Sequence, residues 1–258
     1  MKLLIDCGNT RMKYAYFDGN KLISKAYLVN DAINEQTLGS LLKGIHTICL
    51  SSVSDQALYN TINKVASGQG IKVICAKTQA STNGVVCGYD NYQQLGVDRW
   101  LAILGADSLK PNTHVVIIDA GTATTVDILT ADKRHLGGWI LPGVETIHDA
   151  ITTRAANVKS TYQPIDQLAF GKSTQENVNQ ASWAATLGLI EMACKILEQT
   201  IATNTDENNF AQTTELIFTG GNGERLMTLF QRNSSLHCSF IDVLVFHGLN
   251  QYLQSPVK

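Results

Sequence analysis

Short apolar runs broken by turn residues dominate the start of the chain. Lys2 to Cys7 reads as a buried strand and Met12 to Phe17 as a second one. Asp18-Gly19-Asn20 is a hairpin signal, which makes "KLISKAYL" from Lys21 a third strand. A helix is expected from about Asp31 to Lys43, and a strand from His46 in "HTICLSSV". "DQALYNTINKVA" from Asp55 has Leu58, Ile62 and Val65 on one helical face, and "IKVICA" from Ile71 is again a strand. The first half therefore predicts three meandering strands followed by alternating helix and strand.

The second half predicts the same order. Strands are expected at His114 to Asp119, Thr124 to Leu129 and His135 to Ile140, with a helix after Pro142-Gly143. A long helical stretch covers about Thr174 to Thr200, and "ELIFTGG" from Glu215 is a strand running into a helix near Glu224. "DVLVFHGLNQYL" from Asp242 predicts a closing helix despite its strong β-formers. Asp6 aligns with Asp119, Gly8 with Gly121, and Thr10 with Ala123 or its threonine neighbours, an offset of 119 − 6 = 113 residues. A repeat of this length predicts a duplicated domain rather than a solenoid. "LKPNTH", Leu109 to His114, marks the boundary through Pro111 and Asn112. The expected domains are 1–112 and 113–258.

Composition adds limits to this picture. With 258 residues, 44% of them hydrophobic, the chain has enough apolar material for one large or two moderate cores. A net charge of −2 gives no electrostatic reason to expect nucleic acid or an anionic membrane as partner. The six cysteines show no C-x-x-C spacing, so neither a zinc site nor a redox pair is suggested; several lie in apolar runs, where a reduced thiol acts as a small hydrophobe. The apolar stretch before Asp6 is too short for a signal-peptide core, and no apolar run approaches the length of a membrane span. A cytoplasmic protein is expected. Only 16% of residues are charged, which leaves unusual neutral surface and points toward an oligomer.

The candidate chemistry lies in the breaks between strands. "DCGNTR" and "DAGTATT" each place an acid, a glycine and a hydroxyl in a tight corner. Glycine lets main-chain N–H groups approach a phosphate, and Asn9, Thr10 and Thr122 add side-chain donors. Asp6 and Asp119 repel phosphate, so they suit a corner where a cation or water lies between carboxylate and phosphate. Arg11 and Lys13 supply positive charge. Two such corners facing across a cleft would hold a nucleotide polyphosphate with its metal; a plain hairpin closed by side-chain bonds is the alternative. No Walker loop is present.

"FTGGNGERL" from Phe218 would let an adenosine lie against backbone, or is an ordinary strand-to-helix turn. "LGVDRWLAILGA" from Leu95 puts Asp98 and Arg99 in the first turn of a partly buried helix. Asp98 there either complements the helix dipole or serves as a general base toward a substrate hydroxyl, with Arg99 suited to a carboxylate or phosphate oxygen. "LGGWILPG" from Leu136 is a strand exit or a substrate floor, and His114, His135 and His237 read as structural.

Together "DCGNTR", "GVDR", "DAGTATTVD" and "GGWILPG", in this order, resemble the signature set of type III pantothenate kinases over essentially the whole chain. The resemblance implies an α/β fold of duplicated ribonuclease-H-like (actin-like ATPase) domains, with mixed five-stranded sheets flanked by helices and a cleft between the halves. It implies ATP-dependent phosphorylation of pantothenate to 4′-phosphopantothenate, the first step of coenzyme A biosynthesis. By motif position it implies an ATP-binding stretch of Asp6, Cys7, Gly8, Asn9, Thr10, Arg11, Met12 and Lys13, with Thr122 as a further ATP contact. Asp98 is implied as the proton acceptor; Tyr92, Gly96, Val97, Asp98, Arg99 and Thr174 as the pantothenate site; and Asp119 as ligand of a monovalent cation, K⁺ or NH₄⁺. ATP with Mg²⁺ and a homodimer, with Thr174 reached from the partner subunit, complete the implied set. Another small-molecule kinase on this scaffold, or a non-catalytic accessory or regulatory protein of the same fold, is the alternative.

Overall fold

A computed structural model describes residues 1–8, 11–51, 56–202 and 210–255. In chain order the elements are β1 (Lys2–Cys7), β2 (Arg11–Asp18), β3 (Lys21–Val29), α1 (Glu35–Leu41), β4 (Thr47–Leu50), α2 (Gln56–Ser67), β5 (Lys72–Cys75), β6 (Ser81–Thr82), β7 (Val85–Val86) and α3 (Val97–Leu109). They continue as β8 (His114–Ala120), β9 (Ala123–Leu129), β10 (His135–Pro142), α4 (Val144–Arg154), α5 (Thr174–Ala202), α6 (Phe210–Thr213), β11 (Thr214–Thr219), α7 (Gly223–Gln231), β12 (His237–Phe240) and α8 (Leu244–Leu253).

The chain forms two compact units, Met1–Leu109 with Val243–Lys258, and Lys110–Asp242. The break follows Leu109, within the "LKPNTH" stretch and before the expected boundary after 112. The expected second domain, 113–258, differs at its end: the residues from Val243 onward belong to the first unit. The cause is the packing of α8 against α3. A Cβ on Gly248 would overlap the Leu101 carbonyl, and one on Gly105 would overlap the Leu244 carbonyl, so two glycines let the helix backbones meet.

The sheet of the first unit has the order β3-β2-β1-β4-β5, that of the second β10-β9-β8-β11-β12. In both, the first two pairings are antiparallel and the last two parallel. This identity of order and direction is the duplication predicted from the paired Asp-x-Gly corners. β1 is buried on both faces through Leu3, Leu4 and Ile5, which is why it reads as a continuous apolar run. On one face Leu3, Ile5 and Met12 pack with Leu38 and Leu42 of the α1 segment and Ile62 of α2. The core of the second unit joins Val116, Ile118 and Phe218 of its sheet to Trp183, Leu187 and Ile190 of α5 and Leu226 of α7.

The first predicted helix is shorter than expected. Asn34 accepts hydrogen bonds from the N–H groups of Gln36 and Thr37, and Thr37 Oγ1 accepts one from the Asn34 N–H, so this capping box starts α1 at Glu35. Strand β12 and the hairpin β6–β7 go beyond the sequence prediction. Among the described residues no helix is long and apolar enough to cross a membrane.

Candidate active site

β1 carries Asp6 to the end of the first sheet. There the Gly8 N–H donates to the Arg11 carbonyl at 3.0 Å and Asn30 Nδ2 donates to the Gly8 carbonyl at 3.2 Å, closing the corner between β1 and β2. Ser51, buried just past β4, donates its hydroxyl to Asp6 Oδ1 at 2.7 Å. This bond fixes the Asp6 carboxylate. Lys13 is exposed and lies opposite Asp6 in the β1–β2 register. The Arg11 guanidinium sits 4.9 Å from the centre of the Tyr27 ring, a cation–π contact with β3. Met12 is fully buried, and the partly buried Cys7, its partner in the β1–β2 register, packs against the same core. Asn9 and Thr10 lie outside the described residues.

The second residue of α3 is Asp98. Behind it, Trp100 through Asp107 are all buried, which anchors the helix and leaves its first turn at the surface. Solvent reaches Asp98, yet the surrounding protein desolvates its carboxyl and raises its pKa above the ordinary aspartate value; the negative charge of Asp6 raises it further. Asp6 and Asp98, ninety-two positions apart by numbering (98 − 6), thus act on each other electrostatically within one unit. Arg99 donates through Nη1 to the Tyr89 hydroxyl at 2.8 Å. Tyr92 belongs to a 3₁₀ turn held by Asn91, whose side chain accepts from the Gln93 N–H. Thr78 Oγ1 donates to the Leu95 carbonyl at 2.7 Å, tying the "GVDR" segment to the chain after β5. Tyr92, Gly96 and Val97 line a cavity of about 940 Å³, shared with Ser51, Lys77 and Tyr252. Asp98 and Arg99 are not part of its wall.

In the second unit Asp119 occupies the place of Asp6. The Gly121 N–H donates to the Ala123 carbonyl at 3.0 Å, one residue sooner than in the first corner. Ala123 opens β9 as Arg11 opens β2, so of the partners expected for Thr10 the neighbouring Thr122 is left as the counterpart, not Ala123. The difference is the tighter turn. The Thr122 side chain is exposed, and its carbonyl accepts from the Gly143 N–H and from Thr146 Oγ1. Gly220, at φ +82°, stands against Asp119: a Cβ there would lie 2.5 Å from Oδ1 and 2.7 Å from the Ala120 carbonyl. The "FTGG" turn therefore keeps open the space beside the Asp119 carboxylate; the sequence left this turn as either an adenosine contact or an ordinary strand-to-helix turn. Thr174 is exposed as the first residue of α5.

The type III pantothenate kinase family model matches residues 2–196. The chain belongs to this family. A type III pantothenate kinase from Colwellia psychrerythraea is 34% identical over 98% of this chain and 100% of its own, and one from Idiomarina loihiensis is 35% identical over 96% of each. Among solved structures, a Campylobacter jejuni protein assigned to the Baf family of transcriptional activators superposes with a TM-score of 0.55 at 22% identity, covering 98% of this chain and 97% of the other. A protein from Sinorhizobium meliloti described as a 2-dehydro-3-deoxygalactonokinase gives 0.55 at 12%, covering 98% of each chain. Both likenesses concern the fold, α/β with duplicated mixed sheets. For a type III pantothenate kinase, α8 is notable: it lies beyond the span of the family model, yet supplies Tyr252 to the cavity. Ser51, Lys77 and Tyr252 carry no motif, and sequence reasoning missed all three. Among the described residues no three His, Cys, Asp or Glu side chains are grouped as for a metal.

Proposed function

We infer that this protein is a kinase that uses ATP to phosphorylate pantothenate, giving 4′-phosphopantothenate, the first step of coenzyme A biosynthesis. The observation that carries the reading is Asp98: a carboxyl of raised pKa on the first turn of a buried helix, beside the Asp6 corner and a cavity of polar and apolar groups, in a chain of this family. Phosphoryl transfer asks little covalent chemistry of a protein. The substrate hydroxyl oxygen forms a bond to the γ-phosphorus, the bond from γ-phosphorus to the β–γ bridging oxygen breaks, and ADP leaves. Asp98 takes the hydroxyl proton. Its raised pKa makes it a stronger base than an ordinary aspartate.

The remaining assignments belong to the same proposal. Main-chain N–H groups of the Asp6–Lys13 stretch, the Lys13 and Arg11 charges and the Thr122 hydroxyl contact ATP, which enters as its Mg²⁺ complex. Tyr92, Gly96, Val97 and Arg99 contact pantothenate, as does Thr174 from the partner subunit of a homodimer, and the enzyme works in the cytoplasm. Asp119 holds a monovalent cation. The space that Gly220 leaves open and the carboxylate and carbonyl oxygens around it are what such a hard cation requires. The cation would neutralise phosphate charge when bound.

The test is ADP release from the purified protein with ATP and Mg²⁺, with and without pantothenate, in sodium and in potassium buffer. Release that depends on pantothenate and rises with K⁺ is expected. Hydrolysis indifferent to pantothenate would overturn the kinase assignment, and indifference to K⁺ would overturn the role of Asp119.

A further inference from the structure

The wall of the cavity beside Gly96 and Val97 mixes polar and apolar groups. Its wall consists of neutral groups, among them the hydroxyls of Ser51 and Thr78 and the amides of Gln56 and Gln79, together with Lys77. Lys77 is the one charged side chain among the described residues that line it. It is exposed, and no carboxylate pairs with it among the described residues. Arg99 is outside the wall and is already engaged by Tyr89 at 2.8 Å and by the face of the same ring at 5.7 Å.

Tyr252 adds a second feature. Its hydroxyl accepts from the Lys77 main-chain N–H and from Gln79 Nε2, each at 3.4 Å. With two donors on its lone pairs, the phenol keeps its own O–H as a donor. Burial raises its pKa, so the proton stays on the oxygen at neutral pH. α8 is held in place as well: Asn83, at the tip of the β6–β7 hairpin, donates to the Gln251 carbonyl at 2.8 Å. Gly96 and Val97, next to Asp98, thus share this cavity with the Lys77 ammonium, which has no carboxylate partner among the described residues, and with the Tyr252 phenol.

We propose that Lys77 is a specificity-determining residue of this kinase, holding the carboxylate end of the acceptor substrate in this cavity, with Tyr252 of α8 donating a hydrogen bond beside it. This rests on the functional reading above, since pantothenate carries a carboxylate at the end remote from the hydroxyl that is phosphorylated. An ammonium meeting a carboxylate in the wall of such a cavity favours acids over neutral analogues of the same length.

The experiment compares pantothenate with the neutral analogue whose carboxylate is reduced to an alcohol, in the unaltered protein and in Lys77→Met, Lys77→Gln and Lys77→Arg. The unaltered protein prefers pantothenate. In Lys77→Met and Lys77→Gln the ratio of kcat/KM for pantothenate to that for the neutral analogue falls about tenfold, the size of a charge-assisted bond with partial solvent access. The loss appears in the pantothenate KM, while the ATP KM holds; Lys77→Arg keeps most of the preference. A ratio unchanged in both neutral variants, or an equal loss on both acceptors, overturns the proposal while the kinase assignment stands. An unaltered protein that leaves pantothenate untouched overturns the functional reading and this proposal with it.

Discussion

Asp98 is where a single side chain decides most. Desolvation first, and Asp6 second, raise its pKa, so in the folded state the ionised form is disfavoured relative to the unfolded chain. The folded pKa lies above the unfolded value. Stability is therefore unaffected at pH below the ordinary aspartate range, falls as pH rises through the interval between the two values, and stays reduced above it. Asp98→Asn should accordingly unfold at the same or a higher denaturant concentration than the parent at pH 7, with the difference vanishing at low pH. Its kcat should fall at least about a hundredfold, because an amide takes no proton. A variant that keeps near-normal turnover, or that is less stable at pH 7 than the parent, would count against a strained catalytic carboxylate. Asp98 and Asp119 each lie in one contiguous motif, so the chain alone singles them out as candidates. It does not single out Lys77 and Tyr252: they are 175 positions apart, and only the fold makes them neighbours.

At the scale of elements, turn residues and periodicity located nearly every strand of the two sheets. The exceptions have physical causes. β12 has four residues and follows the polar run Gln231 to Ser235, so no alternation develops. β6 and β7 have two residues each, too short for any pattern. α8 was predicted despite its β-formers Val245 and Phe246; burial of Leu244, Phe246, Gly248 and Leu249, with the close approach to α3 at Leu244 and Gly248, outweighs local propensity there. That packing depends on close backbone approach at Gly105 and Gly248. Gly248→Ala should destabilise the protein by about 2 kcal/mol or more, because the new methyl meets a carbonyl rather than a movable side chain. Chemical denaturation measures this as a lower midpoint at unchanged slope. Because α8 also carries Tyr252, the pantothenate KM should rise in the fraction that remains folded. An unchanged midpoint would mean that the two helices separate without cost.

At the scale of the whole molecule, duplication was legible from one repeated corner, whereas the allegiance of the chain end was not. α8 follows β12 as α3 follows the β5–β7 segment, but it completes the first unit, a long-range choice that no local pattern encodes. Low charge content has its counterpart in the second unit. Leu136, Trp139 and Ile140 of the edge strand β10 are exposed, as are Met192 and Ile196 of α5, with Ile140 at 65% exposure. Leu136, Trp139 and Ile196 border an apolar groove of about 360 Å³ together with Val126 and Ile128. Exposed apolar area of this kind on an edge strand favours association, and a second copy of the same face is chemically complementary to it. The 28.1 kDa chain should therefore sediment at twice its mass at micromolar concentration. Ile140→Asp and Ile196→Glu, which place charge on that face, should shift it to the monomer. If Thr174 completes the substrate site of the other subunit, the monomeric variants will lose pantothenate turnover while ATP still protects them against thermal unfolding. A parent protein that sediments as a monomer would rule out the dimer, and full turnover in a monomeric variant would confine the substrate site to one chain.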